Sequence, residues 1–494
     1  MSMQKKFRAP LYEAMVAHHH SYSSSFHVPG HKSGQGLHKD GADFLQAVMS
    51  IDYTEITGLD DLHHPDGVIK DAEELAADCF GAEETFFLVG GSTVGNLAMI
   101  AAVCDRDDVI LIQRNAHKSV INGLMLAGAK AVFITPAVNN RTGIATSILL
   151  EDVEQALALY PEAKALFLTN PNYYGMGIDL KPFADFMHSK GKILLVDEAH
   201  GAHYGFHPDL PASALSQGAD AVVQSTHKML TAMTMGAMLH VQGPLINRRA
   251  VKQLLTMLQS SSPSYPIMAS LDLARKKMHT EGKEWLDEGL EVVNEFGSRL
   301  QSLSIFNYEP RPFPVEPEVG YTTADPFKVA IYDATETLSG TELKDRLERE
   351  GCFVEMTDGR QVLLVFTPAS SKEDMLRVYE VLNNICLDVL AQKKELCAPI
   401  SNINKLPFYT RISLPTAFGL RDLTRAGGVE AQVRMVSAQE AVGKCSADMV
   451  IPYPPGIPYL YPGEMITATV AEALLQLAAR GIKFQGTEFG QTQS

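Results

Sequence analysis

Three short stretches, each just beyond an apolar run, carry side chains that could hold and activate an aldehyde. After ILLV (193–196) comes Asp197-Glu198-Ala199-His200-Gly201, and after AVVQ (221–224) come Ser225, Thr226, His227 and Lys228. After FFLV (86–89) come Gly90-Gly91-Ser92-Thr93 and then Gly95-Asn96 and an apolar helical stretch. A carboxylate at the end of a buried strand is costly unless a cation or strong donor meets it, so Asp197 should have a specific partner. An amine at the mouth of a low-dielectric site loses its proton more readily and becomes a nucleophile, which is the chemistry open to Lys228. Glycines that admit a close backbone, with free amides and hydroxyls at a helix start, suit a phosphate, although a plain strand–turn–helix would carry the same residues. Together these are the three anchors of pyridoxal 5'-phosphate: Lys228 for a Schiff base, Asp197 for the protonated pyridine nitrogen, and Gly91, Ser92 and Thr93 for the phosphate. A fourth stretch, Arg114-Asn115-Ala116-His117-Lys118-Ser119 after VILI (109–112), brings an imidazole to the same edge. There His117 either stacks on the cofactor ring, opposite the side of Ala199 and His200, or caps a helix.

The elements that must position these residues can be read from the same runs. FFLV, VILI, AVFI (131–134), ALFL (165–168), ILLV, AVV (221–223) and AMLHV (237–241) are separated by helix-length connections. Near-continuous apolar strands in that rhythm predict an α/β fold with a mostly parallel seven-stranded sheet covered on both faces. In such sheets ligands bind outside the carboxyl ends of the strands, where the four stretches lie. Residues 1–25 read as an N-terminal arm, 26–290 as the large cofactor-binding domain, 291–395 as a smaller α+β domain and 396–494 as a C-terminal domain. Two helices of the smaller domain open with Ser339-Gly-Thr-Glu342 and Ser370-Ser-Lys-Glu373, both of capping-box form. The C-terminal part carries a proline-rich loop, 451–464, read as a lid, and a helix capped by Gly481.

Several motifs in order resemble the Orn/Lys/Arg decarboxylases of the aspartate-aminotransferase-like fold (fold type I). They are FHVPGHKSG (26–34), GLDDLHHPDGVIKDAEELAADCFGAEETFFLVGGSTVGN (58–96), RNAHKS (114–119), LTNPNYYG (168–175), LVDEAHGAH (195–203), QSTHK (224–228), SSSPSYPIMASLD (260–272) and YPPGIPYLYPGE (453–464). The resemblance implies α-decarboxylation of arginine, lysine or ornithine to agmatine, cadaverine or putrescine, a step of polyamine biosynthesis. It implies Lys228 as the Schiff-base lysine, Asp197 at the pyridine nitrogen, His117 stacked on the ring, and Ser92, Thr93, Ser225 and His227 at the phosphate. Lys228 or His227 would return the proton to Cα. The two active sites would be built at a homodimer interface, with one hydroxyl of Ser260 to Ser262, Ser261 foremost, reaching the neighbouring subunit's phosphate. A serine stands there where long-form members tend to carry threonine. With the lysine near residue 228 there is no room for an N-terminal wing domain, as in the short Gram-positive type. An acidic residue should meet the substrate's distal cation, and Glu55, Asp60, Asp61 and Glu464 are the candidates, each of which could equally be a surface carboxylate.

Composition narrows the alternatives. The 494 residues exceed what one core normally holds, 46% are hydrophobic and 20% charged, as in ordinary globular proteins. A formal net charge of −16 speaks against nucleic acid or an anionic membrane surface as main partner. Six scattered cysteines without metal spacing point to reduced thiols and a cytoplasmic setting. Neither a signal peptide nor an apolar run of about 18 residues is visible. A competing reaction of the same cofactor is transamination or carbon–carbon lysis. A metal-dependent hydrolase is suggested by His18, His19, His20, His27, His31, His63 and His64, but these lack metal-site spacing, and His18–His20 are expected on a mobile arm. A non-catalytic binding protein would not need Lys228.

Overall fold

The structure, a computed structural model, describes residues 3–21, 24–139, 142–309, 320–392, 411–419, 434–453, 458–462, 464–479 and 483–485. All seven expected strands form: β1 Glu84–Leu88, β2 Val109–Gln113, β3 Lys130–Ile134, β4 Ala165–Thr169, β5 Ile193–Asp197, β6 Ala221–Gln224 and β7 Ala237–Val241. The helices before, between and after these strands include α1 Pro10–His19, α2 Val68–Phe80, α3 Gly91–Val103, α4 Lys118–Ala127, α5 Arg248–Leu258 and α6 Tyr265–Leu300.

The chain divides into two compact units. One comprises Met1–Val103, Phe183–Pro208 and Ala212–Glu284, and the other Cys104–Pro182, Asp209–Pro211 and Trp285–Ser494.

In the first unit the strand order is β1-β7-β6-β5. β5 and β6 run parallel, and β7 is antiparallel to both its neighbours. Every residue of β6 and β7 is buried, which is why both read as unbroken apolar runs rather than as alternation. Helix α3 lies so close to this sheet that a Cβ on Gly95 would sit 2.4 Å from Val223 Cγ2 and 3.0 Å from Leu88 Cδ1. The N-terminal arm is not free: Leu11 and Met15 of α1 are buried, and Asp272 accepts a 3.1 Å hydrogen bond from the Leu11 amide. Arg275, itself buried and paired with Asp272, donates to the carbonyls of Lys6 and Arg8. The expectation of a mobile arm is therefore corrected, because a buried ion pair on α6 takes up the backbone polar groups that lead into α1.

In the second unit the α+β part follows the expected rhythm. Strands β8 Phe306–Glu309, β9 Lys328–Asp333, β10 Met356–Thr357 and β11 Val362–Val365 form an antiparallel sheet in the order β10-β11-β9-β8. Its helices are α7 Gly340–Arg349 and α8 Lys372–Gln392. Their caps differ from the sequence reading. Ser339 accepts from the Glu342 amide at 3.1 Å, yet the Glu342 carboxylate reaches Arg346 one turn on. In α8 the cap is Ser371, which accepts from Asp374, while Ser370 accepts from Thr367 within the preceding turn. A two-residue strand, β12 Thr416–Ala417, pairs antiparallel with β3 and gives the order β4-β2-β3-β12. Among the described residues it adds a strand beside β3 that the sequence did not predict. The C-terminal helix, α9 Ala468–Ala479, forms as expected, whereas Gly481 and residues 454–457 and 463 of the proline-rich loop lie outside the described residues.

Candidate active site

β5 and β6 are parallel neighbours with Asp197 opposite Val223, so the turns that follow them emerge at one sheet edge. Asp197 is 4% exposed. Its Oδ2 accepts from Asn96 Nδ2 at 2.8 Å and its Oδ1 from the Ala199 amide at 3.0 Å. Both donors are neutral, and no cationic side chain pairs with this carboxylate among the described residues. A buried carboxylate so held suits a cationic N–H donor such as a protonated pyridine nitrogen.

Beyond β6, Ser225 Oγ lies 2.6 Å from Ser92 Oγ, tying this turn to the first turn of α3. Thr226 is fully buried, and its hydroxyl has no hydrogen-bond partner. Gly91 holds φ +74°, a left-handed turn that glycine adopts without strain. Its amide donates to the Met235 carbonyl at 3.0 Å. Thr93 stands exposed in the same first turn. A helix start with free amides, two paired hydroxyls and one orphaned buried hydroxyl is a donor set that fits a phosphate.

Lys228 Nζ lies 3.0 Å from His200 Nε2, across the two turns. His227 is anchored through Nδ1, which donates to the Gly236 carbonyl at 2.9 Å. Burial lowers its pKa below the ordinary value of 6.5, the Gly236 bond opposing and the nearby Lys228 reinforcing the shift. Ala199 and His200 are buried in the turn after β5. Ser261 is exposed in the bend before α6, beside Ser260, whose carbonyl meets His63 Nε2 at 2.7 Å. Of the methionines after the lysine, Met229 is core, while Met233 and Met235 are about half exposed.

His117 belongs to the second unit. There it caps α4: its Nδ1 accepts from the Ser119 amide at 3.2 Å, the capping role that the sequence left open beside stacking. Two of the four substrate-binding candidates are engaged elsewhere. Asp60 accepts from the backbone amides of Asp61, Asp66, Gly67, Ile69 and Lys70. Burial raises its pKa, but these bonds outweigh it and leave the carboxyl below its ordinary 3.8. Glu464, in the second unit, pairs with the buried Arg114, whose guanidinium also lies 5.1 Å from the Tyr461 ring centroid. Glu55 is exposed and Asp61 half-buried.

Three residues escaped the sequence reading of the site. Asn96 was visible after Gly95, but its pairing with Asp197 depends on how α3 lies against β5. Thr226 and Glu198 were flanked by the chosen residues, and burial alone marks them out. Glu198 is fully buried, which pushes its carboxyl up to about 8 against hydrogen bonds from Gln224, Ala214 and Ser213.

A buried strand-end carboxylate, a strand-end lysine and a phosphate-type helix start on one parallel sheet edge define the class as a fold type I pyridoxal-phosphate enzyme. Residues 9–313 match the family model described as Orn/Lys/Arg decarboxylase, major domain, and residues 421–489 match the C-terminal domain of the same family. The chain belongs to the Orn/Lys/Arg decarboxylase family. It is 40% identical to YaaO of Bacillus subtilis over 97% of this chain and 96% of that protein. It is 36% identical to an arginine decarboxylase of the same organism over 97% and 95% of the two chains. In three dimensions it is similar to the lysine decarboxylase LdcF of Francisella novicida, with a TM-score of 0.81 at 21% identity over 99% of this chain and 80% of that one. The protein is thus a decarboxylase of a family that uses pyridoxal phosphate and acts on basic amino acids.

Proposed function

We propose that the chain decarboxylates L-arginine at Cα, giving agmatine and carbon dioxide, with Lys228 as the residue that carries the cofactor. The observation that carries the site is that Asp197 ends β5 and Lys228 lies in the helical turn Thr226–Met229 just after the adjacent parallel strand β6, with His200 Nε2 3.0 Å from the lysine amine. The choice of arginine rests on the 36% identity to the Bacillus subtilis arginine decarboxylase across nearly the whole of both chains.

Bound pyridoxal phosphate supplies an electron sink for the pair released when the Cα–carboxylate bond breaks. Asp197 would keep the pyridine nitrogen protonated. Ser92, Thr93 and Ser225, with the amides of the Gly91 turn, would hold the phosphate. Lys228 Nζ, or His227 through Nε2, would return a proton to Cα. Burial disfavours the charged form of His227 and its Nδ1 proton goes to the Gly236 carbonyl, which leaves Nε2 bare at neutral pH and favours Lys228 as the proton donor. With Asp60 and Glu464 engaged in structural bonds, Glu55 and Asp61 remain to meet the guanidinium. We read the working form as a cytoplasmic homodimer in which Ser261 approaches the neighbouring subunit's phosphate.

The test measures carbon dioxide and amine from arginine, lysine and ornithine supplied separately, alongside the visible absorbance of purified protein. Agmatine from arginine, and loss of both turnover and the visible band in Lys228→Ala, are expected. Carbon dioxide from lysine or ornithine in preference to arginine would overturn the substrate. Turnover surviving in Lys228→Ala would overturn the site.

A further inference from the structure

A buried polar chain crosses all four strands of the first unit's sheet and ends beside the site. Thr85 on β1 donates through Oγ1 to His240 Nδ1 at 2.8 Å. His240 on β7 donates through Nε2 to Gln224 Oε1 at 3.2 Å, and Gln224 at the end of β6 donates through Nε2 to Glu198 Oε2 at 2.7 Å. Glu198 follows β5 and also accepts from the Ala214 amide at 2.8 Å and from Ser213 Oγ at 3.3 Å. All four side chains in the chain are 2% exposed or less. With Glu198 ionised, Gln224 Nε2 donates to it and Gln224 Oε1 accepts from His240 Nε2; burial keeps His240 neutral, so its Nδ1 accepts from Thr85.

Glu198 and Gln224 stand where the site is assembled. Glu198 sits between Asp197 and His200, and Gln224 immediately precedes the Ser225–Lys228 turn. Because successive strand side chains face opposite ways, the 2.7 Å Glu198–Gln224 bond joins the two strand ends on the face opposite to Asp197. Gly201 closes the turn tightly: its amide donates to the Glu198 carbonyl at 2.9 Å, and a Cβ there would lie 2.6 Å from Glu198 Cγ.

We propose that Glu198 is a positioning residue for the reaction: through Gln224 it cross-links the turn that carries His200 to the turn that carries Lys228, and so holds the lysine amine at the His200 imidazole. This rests on Lys228 being the residue that carries the cofactor. Among the described residues the titratable groups near Glu198 include Asp197, which precedes it at the end of β5, His240 beyond Gln224, and Tyr204, which packs on Gly201. Replacing the carboxylate by an amide keeps the shape but puts a donor opposite the Gln224 donor. Gln224 must then turn over, His240 must accept at Nε2, and its proton moves to Nδ1, reversing the whole chain.

Three measurements on the full-length protein and its Glu198→Gln and Glu198→Ala variants test this. They are the cofactor Kd of the apoprotein, kcat and KM of the holoenzyme, and the 15N shifts of His240, assigned with His240→Gln. In Glu198→Ala the cofactor Kd should rise and kcat should fall by roughly tenfold, the cost of leaving the buried Gln224 and Ala214 donors unpaired, with KM nearly unchanged. In Glu198→Gln both should stay within about threefold of the parent while the His240 proton moves from Nε2 to Nδ1. If Glu198→Ala fails to fold, Glu198→Gln carries the test by the His240 shift together with a displaced pH midpoint of the bound cofactor's visible band. Parent-like cofactor affinity, kcat, band midpoint and His240 tautomer in the folded variants would overturn the positioning role alone. A parent protein with no visible band on adding pyridoxal phosphate would instead overturn the site reading, and this inference with it.

Discussion

Asp60 shows how one residue can be chemically suggestive and structurally committed. As one of two adjacent acidic residues in GLDDLHH it looked able to bind a substrate cation, but five amides, from its own loop and the first turn of α2, converge on its carboxylate. Asp60→Ala should lower stability by about 2–4 kcal/mol, since several amides lose a charged acceptor, and should leave the order of preference among arginine, lysine and ornithine unchanged. Thermal unfolding and substrate competition check the two halves. The folded carboxyl titrates below its ordinary 3.8, so the stability it contributes is present above that pH and is lost as pH falls through the folded value. Glu464 carries the same lesson, because its partner Arg114 lies 350 residues earlier, a pairing that local sequence does not reveal. Lys228, Asp197, Ser92 and Ser225 were legible because their positions after apolar runs are a local signal.

At the scale of elements, the site depends on how closely α3 approaches the sheet. Gly95→Ala should cost about 1–3 kcal/mol by overpacking against Val223, and should weaken cofactor binding because Ser92 and Asn96 ride on the same helix. Gly95→Ala/Val223→Ala should recover part of both losses in a thermal melt and a cofactor titration. The other exposed liability is β1, the edge of the first unit's sheet. Its outward polar groups are met by side chains: Glu73 Oε1 accepts from the Phe87 amide at 2.9 Å, and Gln259 accepts from Val89 at 2.9 Å while donating to the Phe87 carbonyl at 3.3 Å. Such capping guards an edge against pairing with another chain. Gln259→Ala should therefore destabilise by about 1–3 kcal/mol and increase aggregation on mild heating, followed by light scattering.

Across the whole molecule, buried titratable groups set opposing trends with pH. Burial lifts Glu73 and Glu198 from an ordinary 4.5 to about 8, so the folded state holds more protons than the unfolded one between those values, and stability declines as pH rises through them. Burial drops His240 from 6.5 to about 3, so its contribution is present above 6.5 and is lost as pH falls toward 3. Of these three groups the two glutamates still act above pH 6.5, and the melting temperature should decline toward pH 8. Glu198→Gln should flatten that decline relative to the parent protein, as read in melts at pH 6.5, 7.2 and 8.

The amino-acid sequence by itself determined the strands, the sheet edge at which the candidate residues collect, and the family. Each of these rests on the order of residues over a few positions: an apolar run, the polar residue that ends it, the glycine that turns. The tertiary structure alone decided which carboxylates were already engaged, that the N-terminal arm is anchored by Asp272 and Arg275, and that Thr85, His240, Gln224 and Glu198 form one chain. Those four residues are brought together only when β1, β7, β6 and β5 lie side by side, and burial then makes the contacts between them count.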